Sequence, residues 1–344
     1  MRALVVRRYG PPEVLESKQE PDPQPKPGEI LIRVKSIGVN FADLMQRMGI
    51  YPGTPKPPFI PGLEIAGVVE KSLEQRRAET GEPLKPGDHV LAMTNFSAYA
   101  EWAAVPADHV YRLPAGMTFD EGAALAVNYL TAYHSMFTMG NLQPGDKILI
   151  HGAAGGVGTA AVQLARARGL VTFGTAGSIK QEYLRKIGVE HPIDYEQSNF
   201  VDVIQKYSPH GVEMVMDAIG GKSFARSYEC LAPTGRLVIY GFSAAAGPNG
   251  KKNWPRMIRA FLETPRFHPL KLMEQNAAVI GVSLGKLMAR GALVRKELEE
   301  IFRLYSAGKV KPAIGKSFPL EQGIAAHQYV QNRKNVGKVV LSVK

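Results

Sequence analysis

A chain of 344 residues with 45% hydrophobic and 21% charged residues is too long for one ordinary hydrophobic core and reads as a globular protein of two domains. Its net charge of +11 draws polyanions: a phosphate-rich ligand accounts for part of it, nucleic acid or acidic lipid could account for more, and a solvated basic surface is the plainest explanation. The single cysteine, Cys230, excludes an internal disulfide and any zinc lobe built on several cysteines, and fits a reducing, cytoplasmic compartment.

In chain order, residues 1–8 carry too short an apolar segment for a signal peptide and read as a first strand. The first 110 residues are β-rich. Ile30–Lys35 follows the turn Pro27-Gly28-Glu29, and Val90–Met93 follows Pro86-Gly87-Asp88. Residues 71–83 are polar and charged and read as a surface loop or a hairpin extension. Residues 119–137 are apolar but carry Asp120, Glu121 and Asn128, so they read as a helix with a buried face, and no apolar run reaches the length of a membrane span. From about 129 to 275 strands alternate with helices: strands at 147–151, 170–175, 212–217 and 235–241, helices near 156–168, 178–187 and 221–232. Such alternation predicts a doubly wound parallel sheet covered on both faces. Ala277–Ser283 reads as a buried strand, and Lys338–Val343 as a final strand returning to the first domain. The predicted class is therefore α/β. The β-rich domain comprises 1–128 and 276–344, and the dinucleotide-binding domain comprises 129–275.

The most informative stretch is Lys147–Gly158, an apolar strand running into a turn with glycines at 152, 155 and 158, then a helix. Such a turn brings backbone close to a pyrophosphate resting on the positive end of the helix, which makes Gly155, Gly156, Val157 and Gly158 candidate cofactor contacts. The spacing is a variant, since Ala153 stands where the usual pattern has its second glycine. The alternative is a turn without a ligand, but three glycines cost chain entropy that packing alone does not require.

The second strand decides which dinucleotide. A carboxylate at its end would hold the ribose hydroxyls of NAD. Here the segment from Thr175 through Ser178 to Lys180 has none before Glu182. A hydroxyl and a lysine accept a 2′-phosphate, with charge-assisted bonds worth about 1.5–3 kcal/mol each. The expected cofactor is NADPH. Tyr195 is placed near the adenosine end or at a strand edge. Asp217 and Gly241 close two strands whose carboxyl ends should face the cofactor.

Several motifs together resemble the medium-chain dehydrogenase/reductase superfamily in its zinc-free quinone oxidoreductase branch. They are Gly38-Val39-Asn40-Phe41-Ala42-Asp43, Gly49-Ile50-Tyr51-Pro52, Pro61-Gly62-Leu63-Glu64-Ile65-Ala66-Gly67, Asn128-Tyr129-Leu130-Thr131-Ala132 and His151–Gly158. The likeness spans essentially the whole chain. It is strongest to the vesicle amine transport protein-like members, through Asn40–Met45, Gly140–Gly145, Asn335–Val339 and a basic insertion at 251–271. The resemblance implies a GroES-like domain built from both chain ends around a Rossmann domain. It implies Asn40 and Asp43 at the nicotinamide end, Asp43 more as a structural acceptor than a base. Tyr51 would line the substrate pocket, either as a donor or as a packing lid. Thr131 would open the helix that crosses between domains. Gly241 and Phe242 would flank the nicotinamide ribose, Val282 and Ser283 its carboxamide, and Arg333 or Asn335 could reach the phosphates. Zinc-containing relatives carry a cysteine at the position of Asn40 and a histidine at that of Leu63, so no metal is expected.

The expected reaction is hydride transfer from NADPH to a quinone or other α,β-unsaturated carbonyl, acceptors that need only modest oxyanion help. The alternative enzyme is an enoyl-thioester or alkenal reductase. The alternative from another class is a weakly catalytic membrane-surface or lipid-handling protein. Six basic residues, one acidic residue and Trp254, Phe261 and Phe267 lie between 251 and 271, and the segment could meet an anionic bilayer or form a flap over the cleft. No nucleic-acid reader module is recognisable, so no nucleic acid partner is expected. A homodimer is implied by the resemblance.

Overall fold

The computed structural model describes residues 1–73, 83–247 and 253–344. The predicted loop at 71–83 lies largely outside the described residues. The β-rich domain is organised around the long strand Glu29–Val39, which pairs antiparallel with Glu64–Ser72, Trp102–Pro106 and Lys338–Ser342. Its side chains alternate inward, and Ile30, Ile32 and Val34 are buried in one core with Leu4, Ile65 and Leu341. The strand at 338–342 inserts between Glu29–Val39 and Ile314–Pro319, so a segment distant in sequence completes the first domain.

The second sheet has six parallel strands in the order His191–Asp194, Val171–Ala176, Lys147–Ile150, Val212–Asp217, Leu231–Ile239, Ala278–Gly281. The chain winds outward from Lys147–Ile150 to one side, then returns and winds to the other. That reversal opens a crevice beyond the carboxyl ends of the two central strands, where such sheets bind ligands. Ile148, Leu149 and Ile150 are buried on both faces, the near-continuous apolar run of a covered parallel strand.

Two readings of the sequence change. The strand His191–Asp194 and the helix Phe200–Tyr207 were not foreseen, because four residues that include Pro192 and His191 give too short a signal. Ala278–Gly281 is a half-buried edge strand of the parallel sheet rather than a buried strand of the first domain. The domain boundary predicted at 275/276 therefore lies beyond residue 281.

The helix Phe119–Tyr133 starts on a capping box, with Thr118 and Glu121 satisfying each other's backbone amides. Every residue from Glu121 to Ala132 is buried. The helix packs against both the strands of the β-rich sheet and the helix Gly156–Ala167, so it forms the spine between domains. It runs on into a π-helical turn, His134–Met139, where His134 Nδ1 lies 2.8 Å from Glu297 Oε1. Among the described residues, no helix is long and apolar enough to cross a membrane.

Candidate active site

The strand Lys147–Ile150 ends at His151, and Gly152 turns the chain with φ +63°, a conformation open to glycine and strained for other residues. The helix Gly156–Ala167 follows with no acidic side chain in its first turn. The first-turn amides of a helix lack intrahelical partners, so Gly156, Val157 and Gly158 stand at a positive helix end suited to an anion. Thr175 is buried, and its hydroxyl accepts the Gly152 N–H at 3.2 Å, so it shapes the turn from beneath. The turn is clasped from the other domain: Gly337 N donates to Ala154 O at 2.8 Å, and Gly155 forms a bridge with Gly337. Thr131 does not open the interdomain helix as predicted. It lies buried in the last turn of Phe119–Tyr133, because the helix begins one full span earlier at the Thr118 cap.

Where the sequence placed the adenosine end, Lys180 meets Asn335 next to Ser178, and Tyr195 Oη approaches Gly177. Lys180 Nζ donates to Asn335 O at 2.6 Å. Burial, with Arg333 nearby, lowers the Lys180 pKa. Arg333 is exposed, and its charge is near enough to disfavour the Lys180 cation. Two carboxylates are there as well. Ser178 Oγ donates to Asp194 Oδ2 at 2.6 Å, and Ser178 N donates to Glu196 Oε2 at 3.1 Å. They arrive from the unforeseen strand, whose Asp194 lies in register with Ala176, and so escaped a search confined to the second strand.

At the other end, Gly241 and Phe242 follow Leu231–Ile239, and Phe242 packs on Phe224 with ring centroids 6.1 Å apart. Ser243 N donates to Ala218 O, which joins this strand end to that of Val212–Asp217. Val282 N donates to Ile239 O at 2.9 Å, and the exposed Ser283 precedes the short helix Leu284–Leu287. All four residues therefore line the carboxyl edge of the sheet.

Asn40 and Asp43 sit where Glu29–Val39 passes into the helix Phe41–Met48. Asn40 Nδ2 donates to Glu64 Oε1 at 2.8 Å, and Lys338 Nζ donates to Asn40 Oδ1 at 2.7 Å and to Glu64 Oε1. Glu64 Oε2 accepts Val127 N at 2.7 Å, from the interdomain helix. Lysine only donates and a carboxylate only accepts, so the Asn40 amide has one permitted orientation. Gly38 is required for this packing, since a Cβ there would lie 2.5 Å from Glu64 Oε1 and 2.2 Å from Ala123 O. Glu64 and Lys338 are 0% and 3% exposed, and sequence reasoning gave neither a role. The only available signal was a glutamate and a lysine within otherwise apolar strand starts.

Asp43 Oδ2 accepts Asn40 N at 2.8 Å and Tyr99 Oη at 3.0 Å, while Oδ1 is buried without a partner. Burial pushes the Asp43 carboxyl up to about 7, against the Asn40 amide, Lys338 and Tyr99, which favour its charge. Tyr99 Oη also lies 3.0 Å from His327 Nε2, and burial holds His327 well below its ordinary pKa. Tyr51 is half-buried, and its phenol pKa is raised by burial and, to a lesser degree, by the Asp43 charge.

The residues fit a dinucleotide: a glycine turn at a helix end free of acidic groups, with Lys180 and Arg333 to attract a 2′-phosphate and Asp194 and Glu196, on Ser178, opposing it. They do not fit zinc at the Asn40 position. An amide and an ammonium are not zinc ligands, and both oxygens of Glu64 are committed to Asn40, Lys338 and Val127.

Residues 26–115 match the alcohol dehydrogenase GroES-like domain family, and residues 187–341 match the zinc-binding dehydrogenase family. The chain is 41% identical to the human synaptic vesicle membrane protein VAT-1 homolog over 99% of its own length and 86% of the relative's. It is 31% identical to human quinone oxidoreductase, over 99% and 97%. The quinone oxidoreductase of Thermus thermophilus, whose structures include a complex with NADPH, superposes with a TM-score of 0.80 at 33% identity over all of both chains.

Proposed function

This chain belongs to the quinone oxidoreductase branch of the medium-chain dehydrogenase/reductase family, and on that premise we propose that it is an NADPH-dependent reductase of quinones and other α,β-unsaturated carbonyls. The observation that carries the reading is the seam at Gly337-Lys338: one residue clasps the glycine turn, and the next bonds Asn40, the residue expected at the nicotinamide end. When bound, a reduced nicotinamide supplies the hydride. The turn at 152–158 would seat its pyrophosphate, Lys180 and Arg333 the 2′-phosphate, and Gly241, Phe242, Val282 and Ser283 its nicotinamide half. The second Asn40 Nδ2 hydrogen has only a 3.4 Å approach to Gly38 O, and Lys338 Nζ uses two of its three donors, so an acceptor brought against them would find N–H groups for a developing oxyanion. Donors of this kind are worth about 2.7–4 kcal/mol each in a transition state. Tyr51 would line the substrate site, as a hydrogen-bond donor or as a packing lid. Turnover on quinones, enals and enoyl thioesters with NADPH and NADH tests the reading, and separates it from an acyl-thioester reductase. A lowering of kcat/KM by tenfold or more in Asn40→Ala supports the site, and unchanged turnover in both Asn40→Ala and Tyr51→Phe rejects it.

A second reading, peripheral contact with an anionic membrane, is favoured by one surface. The helices Trp254–Leu262 and Pro269–Gln275 expose Trp254 (62%), Ile258, Phe261 (73%), Leu262, Leu270 and Met273 (75%), flanked by Arg256, Arg266 and Lys271. Phe267 does not join them, because it packs on Tyr228 at 5.2 Å. Lys251 and Lys252 lie outside the described residues. Salt-dependent sedimentation with phosphatidylserine vesicles but not phosphatidylcholine vesicles supports this reading, and no pelleting with either removes it. A homodimer is also proposed, through the outer edge of Ala278–Gly281, which pairs only with Leu231–Ile239 among the described residues. Light scattering decides between one copy and two. The cytoplasmic placement rests on the lone, buried Cys230.

A further inference from the structure

Beneath the glycine turn runs a closed chain of hydrogen bonds across the carboxyl ends of three neighbouring strands. Gly152 N donates to Thr175 Oγ1 at 3.2 Å, and Thr175 Oγ1 lies 3.1 Å from His151 Nδ1. On its other side, His151 Nε2 lies 3.0 Å from Ser227 Oγ. Ser227 Oγ and Ser223 Oγ both donate to Asp217 Oδ2 at 2.7 Å, and Asp217 Oδ1 accepts Ile219 N at 2.6 Å. His151, Thr175, Asp217 and Ser227 are all buried, and the Phe200 ring stands edge-on to the imidazole at 4.7 Å.

The direction of every proton follows from the two ends of this chain. Ser227 has one hydrogen and gives it to Asp217, so its oxygen accepts from His151 and Nε2 carries a proton. Among the described residues the Thr175 hydroxyl hydrogen has no acceptor but His151 Nδ1, so Nδ1 is a lone pair, in keeping with burial lowering the His151 pKa against Asp217. Nδ1 then accepts the Thr175 hydroxyl hydrogen, and the Thr175 oxygen is left to accept the Gly152 amide. A proton on Nδ1 would turn Thr175 around and leave that hydroxyl hydrogen without its acceptor.

We propose that His151, in its Nε2–H tautomer, is a positioning residue that anchors the Gly152 amide through Thr175 and so holds the dinucleotide turn in its binding shape. The inference rests on the nucleotide-binding reading of the same site. Glutamine can present an acceptor to Thr175 and a donor to Ser227, whereas leucine fills similar space and can do neither.

The test combines two readouts made without cofactor and one made with it. Nitrogen-15 spectra of the whole chain report the His151 tautomer, and amide exchange reports the Gly152 N–H. Calorimetry with NADPH reports binding to parent, His151→Gln, His151→Leu, Thr175→Val and the Leu/Val double variant. The expected results are an Nε2–H tautomer, a protected Gly152 amide that exchanges faster in His151→Leu and Thr175→Val, and NADPH binding about tenfold weaker in both. His151→Gln should stay within about threefold of the parent, and the double variant should be little worse than either single one. Thr175→Val keeps the buried volume, so it decides the matter if His151→Leu fails to fold. An Nδ1–H tautomer, equal exchange in all variants, or binding losses that add overturns the proposal. Failure of the parent to bind NADPH would overturn the functional reading, while tautomer and exchange would still decide the anchoring role.

Discussion

Replacing Lys338 by methionine keeps the length and bulk of the side chain and removes its charge. In the parent, the ammonium bonds Asn40 Oδ1 and Glu64 Oε1 in a site where both ion partners are almost wholly buried. The variant leaves Glu64 with only the Asn40 amide and Val127 N as donors and no counter-charge. Breaking a buried pair from one side costs about 3–5 kcal/mol, because the remaining charge stays desolvated. At about 2 °C per kcal/mol for a chain of this size, the melting temperature should fall by about 6–10 °C. The second perturbation, Glu64→Gln in the same background, removes the stranded charge; its carbonyl still accepts Val127 N, and with Lys338 gone the Asn40 amide can flip so that its oxygen accepts the glutamine NH2, so more than half of the loss should return. Calorimetric or dichroism melts of the parent, both single variants and the double variant read the coupling directly. A Lys338→Met variant melting within about 2 °C of the parent, or a double variant no better than the single, would refute the assignment of this pair as the desolvated lock on Asn40.

Asp43→Asn should change how stability depends on pH. The carboxyl is held near 7 in the folded chain against an ordinary 3.8, so the folded state keeps a proton that the unfolded state releases. The stability from that proton is fully present below about pH 4 and is lost as pH rises towards 7, at up to about 1.4 kcal/mol per unit. Urea melts from pH 5 to 8 should show Asn gaining on Asp as pH rises, and parallel curves would count against it. Lys180→Ala should weaken NADPH by about tenfold and NADH by little, measured by fluorescence titration. Glu196→Gln should move the preference the other way, towards NADPH, because its carboxylate reaches Ser178 N where a 2′-phosphate would repel it.

Much of this architecture was legible because its signals are local. The Pro-Gly-acid turns mark where strands begin at Glu29, His89 and Lys147, and the apolar strand before Gly152 announces the dinucleotide turn. What stayed hidden depends on pairing at a distance. His191–Asp194 is a strand only because Val171–Ala176 accepts it, and with it came Asp194 and Glu196 beside Ser178. Lys338 received no role beyond the start of the final strand, because nothing within ten residues reveals that Glu64 lies across from it. Tyr99 and His327 are separated by 228 positions and meet over Asp43, beyond the reach of any spacing rule. The domain limit was misplaced because three half-buried residues and the exposed Gly281 carry no mark of the sheet they join.

The insertion of Lys338–Ser342 between Glu29–Val39 and Ile314–Pro319 has a consequence for biogenesis. During synthesis, the parallel sheet from Lys147 to Gly281 can assemble as soon as it emerges, but the clasp on its glycine turn and the cation beside Asn40 arrive only with residues 337 and 338. A nascent chain halted before them should expose an open gap in the first sheet and hold its nucleotide turn unsupported, a natural point for chaperones to engage and for proteases to discriminate finished molecules from unfinished ones.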